Sequence, residues 1–190
     1  MDEVSEKLIV IFQNVNEWLK FAEAKNGILL AFSGAGLTAT ITLLATDKNI
    51  PNSLKFGLLL ATFLLCICAL ICSLSFIPQT DLKRLLWLQT RPSKKSVPQP
   101  QDTDNLYFYG DLRKYKAKEL IEVINRQYFE GKITQPYKKE YEDIAGQITI
   151  NSSIAFLKFQ VFKYAVYILI AAILVIPVSL MVSLVIYRSL

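Results

Sequence analysis

Residues 164–187 read YAVYILIAAILVIPVSLMVSLVIY, 24 consecutive positions without a charge. About 20 residues of α-helix cross a hydrocarbon core roughly 30 Å thick. No water is available there for backbone N–H and C=O groups, so such a run has to be helical. Working outward, residues 56–77 form a second uncharged run of 22. Residues 26–46 form a third of 21, more polar because it holds Ser33, Gly34, Gly36, Thr38, Thr40 and Thr42. The fold class is therefore all-α: a polytopic membrane protein with transmembrane helices at 26–46, 56–77 and 164–187. A content of 53% hydrophobic residues and a mean hydropathy of +0.34 suit a small protein with much of its chain in lipid.

The charges say which way it sits. Of 21 Lys and Arg, 15 lie between residues 78 and 163. Positive-inside bias then puts 78–163 and the N-terminus in the cytoplasm and the C-terminus outside. The first 25 residues carry Asp2, Glu3, Glu6, Glu17 and Glu23 against three lysines. That is not the basic start of a cleavable signal, so the first span is expected to act as an uncleaved anchor.

The flanks of the spans are helical in pattern. Leu8, Phe12, Val15, Leu19 and Ala22 recur at alternating spacings of four and three, with Ile11 and Trp18 beside them. This predicts an amphipathic cytoplasmic helix over 1–25 that runs straight into the first span. Trp18, Lys20 and Lys25 fall where amphipathic side chains meet the headgroups. Within that span Gly27, Ala31, Ala35 and Ala39 stand four apart, a stripe that lets helix backbones approach closely. It serves either self-association or packing against the chain's own second or third span.

Asp47 to Asn52 make a short polar outer turn. After the second span, DLKRLLWLQ (81–89) reads as a short amphipathic piece at the inner surface. RPSKKSVPQPQDTD (91–104) reads as a flexible linker. A helix is predicted over 116–129, with Leu120, Ile121, Ile124 and Tyr128 on one face and Gly131 ending it. From about Pro136, the series Tyr137, Tyr141, Ile144, Ile148 and Asn151 predicts another, continuous with the third span. The module 78–163 is thus helical and continuous with spans one and three.

Composition argues against an enzyme. The chain has no histidine, hence neither the commonest general base nor the commonest metal ligand. It has no Gly-rich phosphate loop. No metal site is expected: Cys66, Cys68 and Cys72 lie inside the second span and read as small apolar packing residues. The spans hold no ionisable group of the kind that marks an ion path. Pro177 in the third span is either a hinge or a tolerated membrane proline. The net charge of 78–163 is +5, too dilute for nucleic acid. Its lysines, among them Lys114, Lys116, Lys118, Lys138 and Lys139, face anionic lipid, an anionic small ligand or water.

The most unusual local sequence is NLYFYG (105–110), three consecutive aromatics before a glycine. Such rings either stack a nucleobase, with Arg113 and Lys114 at hand for a phosphate, or plug the membrane-proximal bundle.

Three elements occur in order: WLKFAEAKNGILLAFSGAG (18–36), NLYFYGDL (105–112) and YEDIAGQITINSSIAFLKFQVFKYAVYIL (141–169). Together, and placed against three spans, they resemble the small transmembrane effector family of Pycsar antiphage defence over nearly the whole chain. The resemblance implies a companion cyclase that makes cyclic CMP or cyclic UMP on infection. It also implies a membrane effector that answers by disrupting the inner membrane and arresting the infected cell. No separate cyclic-nucleotide-binding β-barrel is visible in the sequence. The family-like positions are Lys25, Gly27, Asn105, Phe108, Gly110, Gln147, Asn151, Ser152 and Lys158. A nucleotide site built from Lys25, Asn105, Tyr107, Phe108, Arg113, Asn151, Ser152 and Lys158 is the expectation. No other cofactor is expected. The expected partners are the lipid bilayer, the messenger nucleotide and further copies of the chain, a homo-oligomer packed through Gly27, Ala31, Ala35 and Ala39. Two rival readings are a ligand-independent small pore or toxin held by a partner protein, and a structural membrane scaffold.

Overall fold

The structure, a computed structural model, describes residues 2–46, 50–77 and 99–188. The surface piece 81–89, the linker residues 91–98 and the start of the outer turn at 47–49 lie outside the described residues. Among the described residues five helices occur: α1 (Glu3–Thr46), α2 (Asn52–Leu74), α3 (Tyr109–Leu112), α4 (Ala117–Tyr128) and α5 (Lys139–Arg188). Among them too there is no strand, and α1, α2 and α5 are each long and apolar enough to cross a membrane.

At 44 and 50 residues, α1 and α5 rise about 66 and 75 Å at 1.5 Å per residue, over twice what a hydrocarbon core requires. The contacts divide the chain accordingly. One compact unit is drawn from residues 1–22 and 78–159, and a spanning unit from 23–77 and 160–190. Each of the two long helices contributes its first part to one unit and the rest to the other.

In the first unit α1 and α5 run parallel. Ser5 Oγ donates to Glu140 Oε1 at 2.7 Å and Asn151 Nδ2 donates to Asn16 Oδ1 at 2.8 Å, both pairs 135 residues apart. A constant difference in residue number means parallel helices; antiparallel ones keep a constant sum. The buried seam explains the pairing. Leu8, Val15, Ala22 and Leu29 recur every seven residues along α1, as do Tyr141, Ile148 and Ala155 along α5. A seven-residue apolar repeat is the pattern of helices coiled side by side. Ile11, expected only as a flank, is fully buried, whereas Phe12 is half-buried.

The start of α1 is fixed by Asp2. Its carboxylate caps the helix through the Ser5 N–H at 2.9 Å and accepts bonds from Lys138 Nζ at 2.5 Å and the Tyr141 hydroxyl at 2.6 Å. The pairing with Lys138 and then Tyr141 holds the Asp2 carboxyl well below the usual carboxylate range. α5 begins at Lys139, one turn later than expected, so Pro136 precedes the helix instead of lying in its first turn.

A 12-residue helix is marginal alone. α4 is held by Leu120, Ile121 and Ile124, all fully buried against Leu8, Ile11, Val15 and Ile148, at about 2 kcal/mol for each side chain. Tyr128, expected on that buried face, is 40% exposed because the helix ends there. The N–H groups of Phe129 and Gly131 both donate to the Asn125 carbonyl, while the Asn125 side chain bonds both the N–H and the C=O of Ile133. Glycine at 131 takes a positive φ of 78° in this turn.

The spanning unit is a three-helix bundle. Ser33 meets Cys68, Gly36 packs on Leu65 and Thr62 donates to Thr40 at 2.9 Å, so α1 and α2 are antiparallel. Cys68 Sγ bonds the Ala165 carbonyl at 3.3 Å and Gly57 lies on Ser179, so α2 and α5 are antiparallel too. The hydroxyls of Ser33, Thr38, Thr46, Thr62 and Ser73 also bond the carbonyl one turn back, the usual way such groups are satisfied in lipid. α5 continues through Pro177 as one helix.

Gly57 is the tightest of these contacts, since a Cβ there overlaps the Ser179 side chain. Gly57→Ala is expected to destabilise the bundle by about 1–3 kcal/mol, measured by unfolding in detergent. Adding Ser179→Gly should recover most of that loss. Gly34→Ala, with open space around it, should cost nothing.

Candidate functional site

The aromatic segment is built around an Asx turn. Asn105 Oδ1 accepts the Tyr107 N–H at 2.9 Å, and the Asn105 N–H donates to Asp111 Oδ2 at 3.1 Å. Leu106 and Leu112 point into the core and are fully buried, which pins both ends of the turn. The Tyr107 carbonyl accepts Asn14 Nδ2 at 2.8 Å, tying the segment to α1. Gly110 lets the Phe108 ring lie over the backbone, and a Cβ there would displace that ring.

Behind the turn lies a compact ion cluster. Lys114 Nζ sits 2.6 Å from both Asp104 and Asp111, and the Tyr115 hydroxyl donates to Asp104 at 2.9 Å. Burial alone raises a carboxyl pKa, yet the bonds from Lys114, the Gln101 N–H and Tyr115 outweigh it and hold Asp104 below its usual value. Its partners Asp104 and then Asp111 push Lys114 above its usual value, and burial followed by the Asp104 bond does the same for Tyr115. Asp102, also within the expected linker, pairs with Arg126. Lys114 therefore neutralises two carboxylates of its own unit. The Arg113 guanidinium carbon lies 3.4 Å from the centre of the Phe156 ring, and burial lowers the Arg113 pKa.

The rings converge. Tyr109 stacks on Phe159 at 5.0 Å and 17°, and Trp18 touches Phe108, Tyr109, Phe159 and Phe21 with centroids 5.4–6.5 Å apart. Burial in this cluster raises the Tyr109 pKa. Phe21 and Phe108 remain 49% and 39% exposed. Tyr107 belongs elsewhere: the Lys7 ammonium lies between the Tyr107 and Tyr128 rings, 5.1 and 4.1 Å from their centres.

The remaining expected site residues divide between the units. Asn151 is bonded to Asn16, while Ser152 and Lys158 are buried on α5 in the first unit. The Ser152 hydroxyl has no hydrogen-bond partner among the described residues. Lys25 belongs to the spanning unit, with its ammonium 5.3 Å from the Phe162 ring. Of the small-residue stripe, Gly27 is half-buried near Phe76, whereas Ala31, Ala35 and Ala39 are exposed. Asn26, Leu29, Ser33 and Thr40 form the buried face instead.

An open groove of about 560 Å³ runs along the first unit between α1 and α5, lined by Ile9, Phe12, Gln13, Asp143, Ile144 and Gln147. Three apolar side chains and two carboxamides in a space of this size suit a small ligand with a planar, hydrogen-bonding ring. Lys139 bonds Asp143 at 2.7 Å at the edge of the lining. Sequence reasoning included Gln147 but not the groove. The signal was the in-register repeat, because Ile9 and Ile144 differ by the same 135 as the paired residues.

A family model described as the Pycsar effector protein domain matches residues 7–186. The chain belongs to the Pycsar effector family. The match takes in both units and all three spans. The family includes a relative named Pycsar effector protein RsPycTM, from a Rhizobium species. It is 27% identical over 146 residues, covering 77% of each chain. No solved structure matches this chain.

The ion cluster contributes to the pH range of the first unit, alongside the Asp2–Lys138 pair. The Asp104 contribution is complete above the ordinary carboxyl value of 3.8 and is lost as pH falls through its lowered value. The Lys114 contribution is complete below 10.5 and is lost as pH rises through its raised value. Thermal unfolding followed by circular dichroism should give a plateau between those limits. Lys114→Met should lower the midpoint by about 5 °C or more on the plateau, because it leaves Asp104 buried without its cation.

Proposed function

We propose that this protein is an antiphage membrane effector whose cytoplasmic unit takes a cyclic nucleotide and whose spans then repack to breach the inner membrane. Family membership supports the defence role. The observation that carries the mechanism is continuity: the two helices that make the seam of the first unit are themselves two of the three spans. A ligand that prefers one arrangement of the α1–α5 pair biases the helices that continue into lipid, by as much as its affinities for the two arrangements differ. The basic bias of 78–163 supports a cytoplasmic first unit.

Two places compete for the nucleotide. One is the set of Asn105, Phe108, Arg113, Asn151, Ser152 and Lys158. The other is the groove, which we favour because it is open, while those polar side chains are bonded, stacked or buried. In the groove Phe12 offers a face for the base and Gln13 and Gln147 offer amide edges. Lys139 offers a cation for the phosphate once released from Asp143. The exposed Ala31, Ala35 and Ala39 support assembly of several copies, since three spans enclose no useful pore alone.

Dye entry into cells expressing the chain, with and without cyclic CMP or cyclic UMP, separates the readings. The effector leaks only with a nucleotide, a toxin leaks regardless, and a scaffold never leaks. Titration of purified protein should show affinity reduced at least ~10-fold in Gln147→Ala, the equivalent of about 1.4 kcal/mol. Asn105→Ala and Lys158→Ala should bind as wild type, and the reverse pattern returns the site to the aromatic segment. Ala35→Leu should weaken both oligomer formation in crosslinking and leakage.

A further inference from the structure

The ring cluster of the first unit has a position along its helices that the nucleotide reading does not use. Phe21 stands five residues before Asn26, where the uncharged run of α1 begins, and Phe159 stands five before Tyr164, where that of α5 begins. Five residues rise about 7.5 Å, close to the depth of one headgroup layer in a bilayer about 40–45 Å thick with a 30 Å core. Trp18, another turn back, is at about 12 Å. Both helices therefore carry an aromatic residue five positions before their uncharged runs, and in the 135-residue register Phe159 lies about 4.5 Å further along than Phe21. The turn at 108–110 belongs to no span, yet its Phe108 and Tyr109 rings pack against Trp18, and Tyr109 stacks on Phe159.

Within this cluster the exposure is selective. Tyr109 is half-buried, as are Trp18 and one phenylalanine, Phe159, while the other two phenylalanines, Phe21 and Phe108, are the exposed rings. A cluster facing water is expected to turn its polar-tipped rings outward and hide its phenylalanines; here both exposed rings are phenylalanines, and neither Trp18 nor Tyr109 is among them. Lys20, exposed and paired with Glu17 at 2.7 Å, stands on α1 one residue before Phe21. Apolar rings outermost, polar-tipped rings behind them and a lysine alongside match the boundary between headgroups and acyl chains.

We propose that the 108–110 turn is a membrane-interface element, with Phe108 and Phe21 lying in the headgroup layer of the leaflet that the spans enter. Phe108 is then a lipid contact and not a base-stacking platform. The first unit touches the bilayer through a segment that is not itself a membrane helix, so the state of that leaflet acts directly on the Asn105 turn and the ion cluster behind it. The inference rests on the three spans and stands whether or not a nucleotide binds.

The test uses the full chain in phosphatidylcholine vesicles, with Trp18→Phe and Trp87→Phe removing the native tryptophans. Single reporters are placed by Phe108→Trp, Phe21→Trp and, as an aqueous control, Glu122→Trp. Lipids brominated near the glycerol end of the acyl chain should quench Phe108→Trp and Phe21→Trp by roughly two-fold, and more than lipids brominated near the methyl end. Glu122→Trp should respond to aqueous iodide alone. The proposal is overturned if Phe108→Trp and Phe21→Trp behave like Glu122→Trp. It is equally overturned if only an added cyclic nucleotide shields Phe108→Trp from iodide.

Discussion

Two short polar pairs, Ser5 with Glu140 and Asn16 with Asn151, sit 11 residues apart on each helix and fix α1 and α5 in parallel register. An apolar seam alone fixes register only through the sizes of its side chains, such as Leu8 and Val15 on α1 and Tyr141, Ala145 and Ile148 on α5. A carboxamide pair fixes it more sharply, since a slip of one turn in one direction sets Asn16 by Ala155 and Asn151 by Phe12 and leaves both amides unbonded. That register decides what else fits. It brings Asp2 beside Lys138 and Tyr141, shapes the groove between Ile9 and Ile144, and presents the surface on which α4 docks.

The aromatic turn and the ion cluster solve a different problem. A segment without regular structure has to lie against two helices with its backbone groups satisfied. Asn105 and Asp111 take the free N–H groups, Asn14 takes the Tyr107 carbonyl, and Lys114 neutralises both carboxylates recruited for the purpose. The charged residues of this stretch, which look from the sequence like a basic face for a ligand, are largely consumed in holding it.

The spans, the two long helices and α4 were legible because each rests on local periodicity: uncharged runs, spacings of three and four, a glycine after Tyr128. The expectation of a membrane protein of the Pycsar effector family was legible in the same way, from motifs in order. What the sequence hid depends on pairing across 135 residues. Nothing local marks Asn16 as the partner of Asn151, or chooses Ile11 over Phe12 as the buried residue; the direction of the neighbouring helix decides both. Asp102 and Asp104 sat in a stretch read as linker by its prolines and polarity, but their partners Arg126 and Lys114 lie outside that stretch. The alanine stripe was visible, and which side of α1 it occupies was not, because small residues suit either a buried or an outer face.

The antiparallel contacts of α2 with both neighbours leave α1 and α5 pointing the same way through the bundle. Each helix carries roughly half a charge of opposite sign at its two ends. Two spans in one direction and one in the other cancel all but one such dipole, so a protein without a single charged residue in its membrane runs still couples to the transmembrane voltage. Half a charge moved across the full field is worth about 1 kcal/mol per 100 mV. Any rearrangement that tilts these helices therefore works with or against the energised state of the membrane, and collapse of that state alters the balance between their packings.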